Sequence, residues 1–189
     1  VLVRMALDAG IEVTIVPGPC AAVSALAISG QTTGRFVFEA FLPQEKKERR
    51  ARIEGLRDET RTIVLYEAPH RLAKTLAELA EVLGGERELS LVRELTKRHE
   101  EVQRGNFSYF LERYAEEAGR AEIRGEYVLV ISGKSEEELR AEEISVFSEF
   151  TPAEHVAWYE SQGYDRKEAM KKAAKDRGIS RRELYHMLL

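Results

Sequence analysis

The sequence has few of the residues that form crosslinks, bind metals or cross membranes. Its 189 residues include one cysteine, Cys20, so no internal disulfide can form, and only four histidines. It therefore lacks the Cys and His cluster of a structural zinc site. The longest apolar stretches, such as Ala21 to Ile28 and Val128 to Ile131, are far shorter than the roughly 18 residues that span a bilayer. We expect no membrane partner and a cytoplasmic protein.

Glycine-rich motifs that hold nucleotides are also absent. The chain has no Gly-x-Gly-x-x-Gly fingerprint, no phosphate loop with Gly-Lys-Ser/Thr and no Gly-x-Ser-x-Gly elbow. A Rossmann nucleotide site therefore has no support in this sequence. The net charge of -4 comes from 29 Lys and Arg against 33 Asp and Glu. This balance argues against a protein that wraps nucleic acid indiscriminately, but it leaves room for a local basic face.

The chain does contain an alternation of short β-branched runs and longer amphipathic runs. Strands are predicted at residues 11–16, 35–42, 62–66, 89–93 and 127–132, and helices at 21–29, 45–56, 71–83 and 108–118. This alternation predicts the α/β class with a central sheet. The polar stretch 96–106 predicts an exposed hairpin or an active-site loop. Residues 1–10 have a helical pattern without a start signal, so we expect a further segment before Val1.

The pattern changes after Gly133. Residues 134–149 carry six acidic and two basic side chains, which predicts a solvated linker with one or two helical turns. Beyond the linker, Thr151, Asp165 and Ser180 are each followed three positions later by Glu. These capping boxes predict three short helices in residues 151–189.

This three-helix tail is locally basic, with eight basic and four acidic residues from Asp165 to Leu189. Its spacing fits a helix-turn-helix whose last helix presents Arg181 and Arg182 to nucleic acid. The alternative is an ordinary helical cap that packs on the neighbouring domain and keeps its basic face in solvent.

Two segments near the ends of predicted strands are candidates for ligand binding. Val16 to Ala22 combines two prolines, a glycine and small residues, which either admit a ligand to a helix N-terminus or simply form a tight turn. Leu65 to Arg71 presents an aromatic ring, a carboxylate, an imidazole and a guanidinium where α/β sheets bind ligands. Its alternative is a structural pair in which Glu67 and Arg71 cap a helix.

Two further segments are charged. Val92 to Gly105 concentrates both signs of charge after a strand, which suits a polar or phosphate-bearing ligand but also a plain exposed loop. Arg124 to Ile131 brings a polar trio to the start of a buried strand, as a site or as a loop. The two histidines in these regions, His70 and His99, lack the spacing of a helical metal motif, so we predict no metal site.

In their order and spacing, five segments resemble the small-subunit ribosomal RNA cytidine 2'-O-methyltransferases, which belong to the tetrapyrrole-methylase-like class of S-adenosylmethionine enzymes. The segments are Pro17 to Ala21, Phe36 to Pro43, Tyr66 to Arg71, Arg93 to Gly105 and Arg124 to Val130. Each segment alone is weak, whereas the combination is specific and the likeness covers essentially the whole chain.

The resemblance implies a two-domain fold, usually in a homodimer, with the cofactor in a cleft between an N-terminal and a C-terminal α/β domain. Residues 1–30 would then be the remnant of the first domain with its connection, and 31–133 the C-terminal domain, a mixed sheet flanked by helices. Residues 134–150 would be the acidic linker, and 151–189 a helix-turn-helix-like tail. Part of the cofactor and RNA site would lie upstream of Val1, which can leave this chain alone inactive.

The resemblance also implies S-adenosylmethionine as cofactor and a cytidine ribose in the 16S ribosomal RNA of the small subunit as methyl acceptor. The implied cofactor-binding residues are Pro17, Gly18, Cys20, Ala21, Tyr66, Arg93 and Glu126. The RNA contacts would be Arg71, Lys97 and His99, with Lys171, Lys175, Arg181 and Arg182 in the tail. The sequence does not choose a general base among Glu67, Glu94 and a neutral His70. Two alternatives remain open, a methylase of a small tetrapyrrole precursor and a non-enzymatic nucleic-acid-binding module.

Overall fold

The computed structural model describes residues 1–117, 125–148 and 150–188. The chain divides into two compact units, Val1–Ser132 and Gly133–Leu189. None of the described helices is long and apolar enough to cross a membrane.

The first unit is built on a five-stranded mixed sheet, as the α/β prediction requires. Its strands are β1 (Phe36–Phe41), β2 (Thr62–Glu67), β3 (Glu88–Arg93), β4 (Glu101–Asn106) and β5 (Tyr127–Ile131), in the order β1-β2-β5-β3-β4. The β1 and β2 strands are parallel, and the other neighbouring pairs are antiparallel. The central β2 and β5 are buried on both faces, which explains their continuous apolar sequences.

Helices cover both faces of this sheet. They are α2 (Ala21–Ser29), α3 (Lys46–Glu54), α4 (Leu72–Leu83) and α5 (Phe107–Glu117), whereas α1 (Leu2–Asp8) buries none of its residues. Because strand side chains alternate between faces, Ile63 and Leu65 of β2 pack in the cluster that includes α3, α4 and α5 residues. Val64 and Tyr66 face the other way, in the cluster that includes α2. Odd-numbered residues of β2 therefore lie on the face covered by α3, α4 and α5, and even-numbered residues lie on the face covered by α2.

Helix α2 is fastened to the sheet at both ends. At its carboxyl end, the Arg104 guanidinium donates hydrogen bonds to the carbonyl oxygens of Ser29 (2.7 Å) and Ile28 (2.6 Å). A cation there also interacts favourably with the helix dipole. At its amino end, the Ala22 N–H donates to the Tyr66 hydroxyl at 3.0 Å. The start of α2 is thereby held at the carboxyl end of β2.

The structure contradicts one prediction for this unit and confirms another. Residues 11–16 form no strand, so that prediction is wrong. A strand requires a partner, and no strand of the described chain pairs with this exposed segment. The polar stretch 96–106 does form a hairpin arm, because β4 pairs with β3 at the sheet edge, where one open side tolerates polar residues.

The second unit contains α6 (Glu136–Ser148), α7 (Pro152–Ser161), α8 (Arg166–Asp176) and α9 (Arg181–Met187). Thr151 and Ser180 form the reciprocal capping boxes that their spacing predicts, whereas Asp165 accepts one bond, from the Glu168 N–H. The predicted linker is instead a 13-residue helix over most of its length. Ser135 and Glu138 cap this helix reciprocally. The acidic residues in its first turn interact favourably with the helix dipole.

Candidate active site

A cleft of about 450 Å³ lies where the carboxyl ends of β2 and β3 meet the amino end of β5. Both β2 and β3 run antiparallel to β5, so their last residues reach the same edge of the sheet. Ligands of open α/β sheets bind at such an edge. We call this site the edge cleft, and its walls are Ala21, Tyr66, Val92, Arg93, Glu94, Leu95, Lys97, Gly125, Glu126, Tyr127 and Val128.

The Tyr66 ring is fixed by contacts on two sides. Its hydroxyl accepts the hydrogen bond from the start of α2, and its ring packs edge-on against Phe38 with centroids 5.1 Å apart. Phe41 lies 5.5 Å from the same ring. A tyrosine hydroxyl is also a donor. Tyr66 therefore brings a positioned apolar face and a polar tip to the cleft.

An ion pair joins β3 to β4 beside the cleft. Arg93 Nε and Nη2 lie 2.6 Å and 2.5 Å from Glu101 Oε2. Burial acts to lower the pKa of the Arg93 guanidinium, but hydrogen bonds to Glu101 and Tyr127 outweigh it and raise the pKa overall. Burial acts to raise the pKa of Glu101, yet hydrogen bonds from Gln103 and Arg93 lower it overall. Arg93 is thus a charged residue in the wall of the cleft, and its charge is already paired with that of Glu101.

The loop after β3 has a strained backbone. Glu94 and Thr96 have φ angles of 51° and 63°, a region that costs a non-glycine residue about 1–3 kcal/mol and often occurs at functional sites. Lys97 Nζ lies 3.1 Å from Glu94 Oε1, which helps to hold the turn. Gly125, with φ of 79°, lies directly under this carboxylate, and a Cβ there would overlap Glu94 Oε1. A side chain at position 125 would therefore require the Glu94 carboxylate to move.

Glu67 lies outside the edge cleft. Its parity places it on the α3 and α4 face of β2, where it is 1% exposed. The Thr75 hydroxyl donates to one carboxylate oxygen at 2.5 Å and the Ala68 N–H donates to the other at 2.8 Å. Arg49 Nη2 and Arg71 Nε lie 3.6 Å and 3.7 Å away. The structure thus places Glu67 in a buried network of charged and polar groups.

The structure brings together six of the predicted site residues in the edge cleft: Ala21, Tyr66, Arg93, Glu94, Lys97 and Glu126. Pro17, Gly18 and Cys20 are exposed just before α2 and are not among the walls of the cleft. His70 and Arg71 line a second cavity, and His99 is exposed in the loop between β3 and β4. The roles assigned to these residues stay predictions. The described part of the chain brings no three His, Cys, Asp or Glu side chains together as a metal site.

The basic candidates of the tail are exposed. Lys171 and Lys175 lie on α8 and line a cavity of about 620 Å³ within the second unit. Lys172 lines the same cavity, with its ammonium 4.4 Å from the Tyr164 ring centroid, a cation–π contact. Arg181 and Arg182 are exposed in the first turn of α9.

Sequence reasoning missed Arg49, whose side chain is 6% exposed. The signal was present, because Arg49 shares one helical stripe with Ile53 and Leu56, both buried. An arginine on an apolar stripe indicates a buried charge that requires partners. The apolar cleft walls Val92, Leu95 and Val128 were also missed, since they are ordinary strand and loop residues without a motif.

Known proteins are similar to this chain in sequence and in fold. The sequence profile of the Tetrapyrrole (Corrin/Porphyrin) Methylases matches residues 2–109. The chain is 43% identical over 184 residues to "Ribosomal RNA small subunit methyltransferase I" of Bacillus subtilis, a match that covers 97% of this chain and 61% of the relative. It is 40% identical to the protein of the same name from Halalkalibacterium halodurans, covering 98% of this chain and 62% of that relative.

The chain thus spans somewhat less than two thirds of the length of these curated relatives. Among solved structures, the methyltransferase CobJ has a similar fold, with a TM-score of 0.51 and 18% identity over 70% of this chain and 55% of that chain. Because the family profile matches more than half of the sequence, the chain belongs to the tetrapyrrole methylase family.

Proposed function

We propose that the chain forms part of an S-adenosylmethionine-dependent methyltransferase that methylates the 2'-hydroxyl of a cytidine in small-subunit ribosomal RNA. The edge cleft is the observation that carries this proposal, because it puts carboxylates, a tyrosine and apolar walls at the ligand-binding end of the sheet. The names of the two relatives support ribosomal RNA as the substrate. The cytidine and the 2'-oxygen come from the resemblance in sequence motifs.

The residues of the edge cleft fit the chemistry of the cofactor. Val92, Leu95 and Val128 offer apolar surface to an adenine ring or a thioether chain, and Glu126 offers an acceptor to ribose hydroxyls or an ammonium group. S-adenosylmethionine supplies an electrophilic methyl group on a sulfonium. The contribution of this chain is to hold and orient the two reactants, an effect worth up to about 7–11 kcal/mol.

A base assists the reaction by accepting the proton of the attacking hydroxyl while the new oxygen–carbon bond forms and the carbon–sulfur bond breaks. Such help contributes roughly two to four orders of magnitude. Of the three candidates, Glu94 lines the cleft, whereas Glu67 is enclosed by hydrogen bonds and His70 lines another cavity. We therefore favour Glu94 as the base and retain Glu67 and His70 as weaker candidates.

The basic tail is the second part of the proposal. Lys171, Lys175, Arg181 and Arg182 are exposed and would hold RNA phosphates, which makes binding dependent on salt. A small tetrapyrrole substrate has no need of such a tail, so RNA is the favoured substrate. We further propose a cytoplasmic homodimer, in keeping with the resemblance.

Two measurements test this function. Calorimetry with S-adenosylmethionine should show micromolar binding to the intact protein and weaker binding to its Tyr66→Ala variant. No binding by the folded, intact protein would favour a nucleic-acid-binding module instead. Small ribosomal subunits and labelled cofactor should then yield a 2'-O-methylated cytidine, with turnover sharply reduced in Glu94→Gln. Transfer of label to a tetrapyrrole precursor and not to RNA would overturn the RNA assignment.

A further inference from the structure

A second cavity, of about 280 Å³, lies beside the buried Glu67 network on the α3 and α4 face of the sheet. We call it the Arg49 cavity, and its walls are Gln44, Arg49, His70, Arg71 and Lys74. Arg71 and His70 belong to the 3₁₀ turn that follows β2, Pro69–Arg71, while Lys74 lies in the first turn of α4. Every wall residue is a hydrogen-bond donor and none of them is acidic.

The cavity has an excess of positive charge. Among the described residues, three cations, Arg49, Arg71 and Lys74, interact with two carboxylates. Arg49 Nε lies 2.6 Å from Glu78 and its Nη2 lies 3.6 Å from Glu67. Lys74 and Arg71 are looser partners of the same two carboxylates, at 3.8 Å and 3.7 Å. One positive charge of this cluster is left without an anionic counterpart.

Arg49 also has an unused donor. Its Nη2 donates to the Thr75 hydroxyl at 2.6 Å and its Nε donates to Glu78, but its buried Nη1 has no hydrogen-bond partner within the described chain. A buried donor without a partner is uncommon in native proteins and is costly, more so for a charged group. Since Arg49 is a wall of the cavity, its guanidinium charge would attract an anion held there.

We propose that the Arg49 cavity binds a backbone phosphodiester of the RNA substrate. This inference rests on the proposed function, to which it adds a specific contact. Planar guanidinium groups and an ammonium suit phosphate oxygens. Tyr66 and Glu67 are adjacent on β2, so the strand that ends in the cofactor cleft also ends at this cavity. A phosphate bound here would anchor the RNA strand close to the nucleotide that is methylated.

The test is the salt dependence of RNA binding by the full chain. The probe is a short single-stranded RNA of mixed sequence, followed by fluorescence anisotropy at several KCl concentrations. For single strands, each neutralised phosphate contributes about 0.7 to the slope of log affinity against log salt. Lys74→Gln should lower the slope by about this amount, and Arg71→Gln should do the same with an affinity loss of about tenfold.

Arg57→Gln is the matched control, because Arg57 is exposed and paired with a carboxylate three positions away, Glu54, but is not a wall of the cavity. It should leave the slope unchanged. Lys74 is mostly exposed, so Lys74→Gln should fold normally even if Arg71→Gln does not. An RNA analogue with uncharged methylphosphonate linkages should bind the native chain and Lys74→Gln equally.

The results distinguish an RNA contact at the cavity from a site for a free anion and from a chain that does not bind RNA. If the native chain binds RNA and the two cavity variants keep its slope, the RNA contact is overturned while the proposed function stands. If inorganic phosphate binds the native chain but not Lys74→Gln, and the RNA slopes are equal, the cavity takes a free anion and the RNA contact is again overturned. If the native chain does not bind RNA, the RNA contacts proposed for this cavity and for the tail are both overturned, while cofactor binding and methyl transfer by the intact protein test the proposed function separately.

Discussion

Replacing Glu67 by glutamine should destabilise the first unit, although the two side chains have nearly the same shape. Glu67 and Arg49 are almost fully buried, with side-chain exposures of 2% and 6%. Removing one partner of a buried ion pair typically costs about 3–5 kcal/mol, because the other charge stays buried without compensation. Here Arg49 keeps Glu78 at 2.6 Å, and the new amide oxygen can still accept from Thr75. We therefore expect a smaller loss, of about 2 kcal/mol.

Urea unfolding followed by far-ultraviolet circular dichroism measures this loss. With a typical slope of about 1–3 kcal/mol per molar urea, the transition of the first unit should shift by about 1 M. The control is Glu94→Gln, which makes the same chemical change. Glu94 pairs with Lys97, whose side chain is 66% exposed, and exposed pairs contribute about 0–1 kcal/mol.

The comparison of the two variants is what tests the reasoning. Glu67→Gln should lower stability clearly more than Glu94→Gln, while Glu94→Gln should have the larger effect on methyl transfer. Equal unfolding midpoints would show that the buried network does not depend on the Glu67 charge. A loss of turnover in Glu67→Gln with unchanged stability would instead favour Glu67 as the base.

Three further predictions concern other parts of the chain. Gly125→Ala should weaken S-adenosylmethionine binding measured by calorimetry, because its Cβ displaces the neighbouring carboxylate. Gly84→Ala, whose φ of 93° is also positive but whose Cβ would meet no atom within 4 Å, should only lower stability. Arg104→Ala should lower the melting temperature through a loss of about 2 kcal/mol, since it removes two charged hydrogen bonds to α2; a loss under about 0.5 kcal/mol would contradict this role. Burial and an adjacent arginine lower the pKa of His155, so the unfolded state takes up the proton first and the second unit should lose stability as pH falls below about 6.5. Fluorescence of Trp158, the single tryptophan, should report this during urea unfolding, and His155→Gln should reduce the pH dependence.

Local signals in the sequence predicted much of this structure. The capping boxes at Thr151 and Ser180 depend on residues three positions apart, so the sequence contains all the information that they require. The α6 helix shows how such a signal is missed, because the count of acidic charges concealed the Ser135 and Glu138 box within it. The α/β class followed from the alternation of periodicities alone.

Pairing between distant segments was harder to predict. Residues 11–16 have the composition of a strand, but composition does not supply a partner strand. The site had the same difficulty. Six of the predicted residues meet in the edge cleft because β2 and β3 end at one edge, a fact that depends on the order of strands. Tyr66 and Glu67 lie on opposite faces of β2 because successive strand residues alternate between faces. The sequence contains this information, but it is missed when residues 66–71 are treated as a single motif.

The end of β2 connects the two proposed sites, the edge cleft and the Arg49 cavity. Tyr66 and Glu67 are successive residues on β2, so any movement of the strand end displaces both at once. Tyr66 is tied to the start of α2, and Glu67 is tied through Thr75 to α4 and to Arg49 of α3. If the cofactor binds against Tyr66 and an RNA phosphate binds beside Arg49, both ligands stabilise the same arrangement of the β2 end. Linkage then requires that each ligand raise the affinity of the chain for the other by the same factor. Cofactor binding in the presence and absence of RNA measures that factor, and Lys74→Gln should bring it towards one.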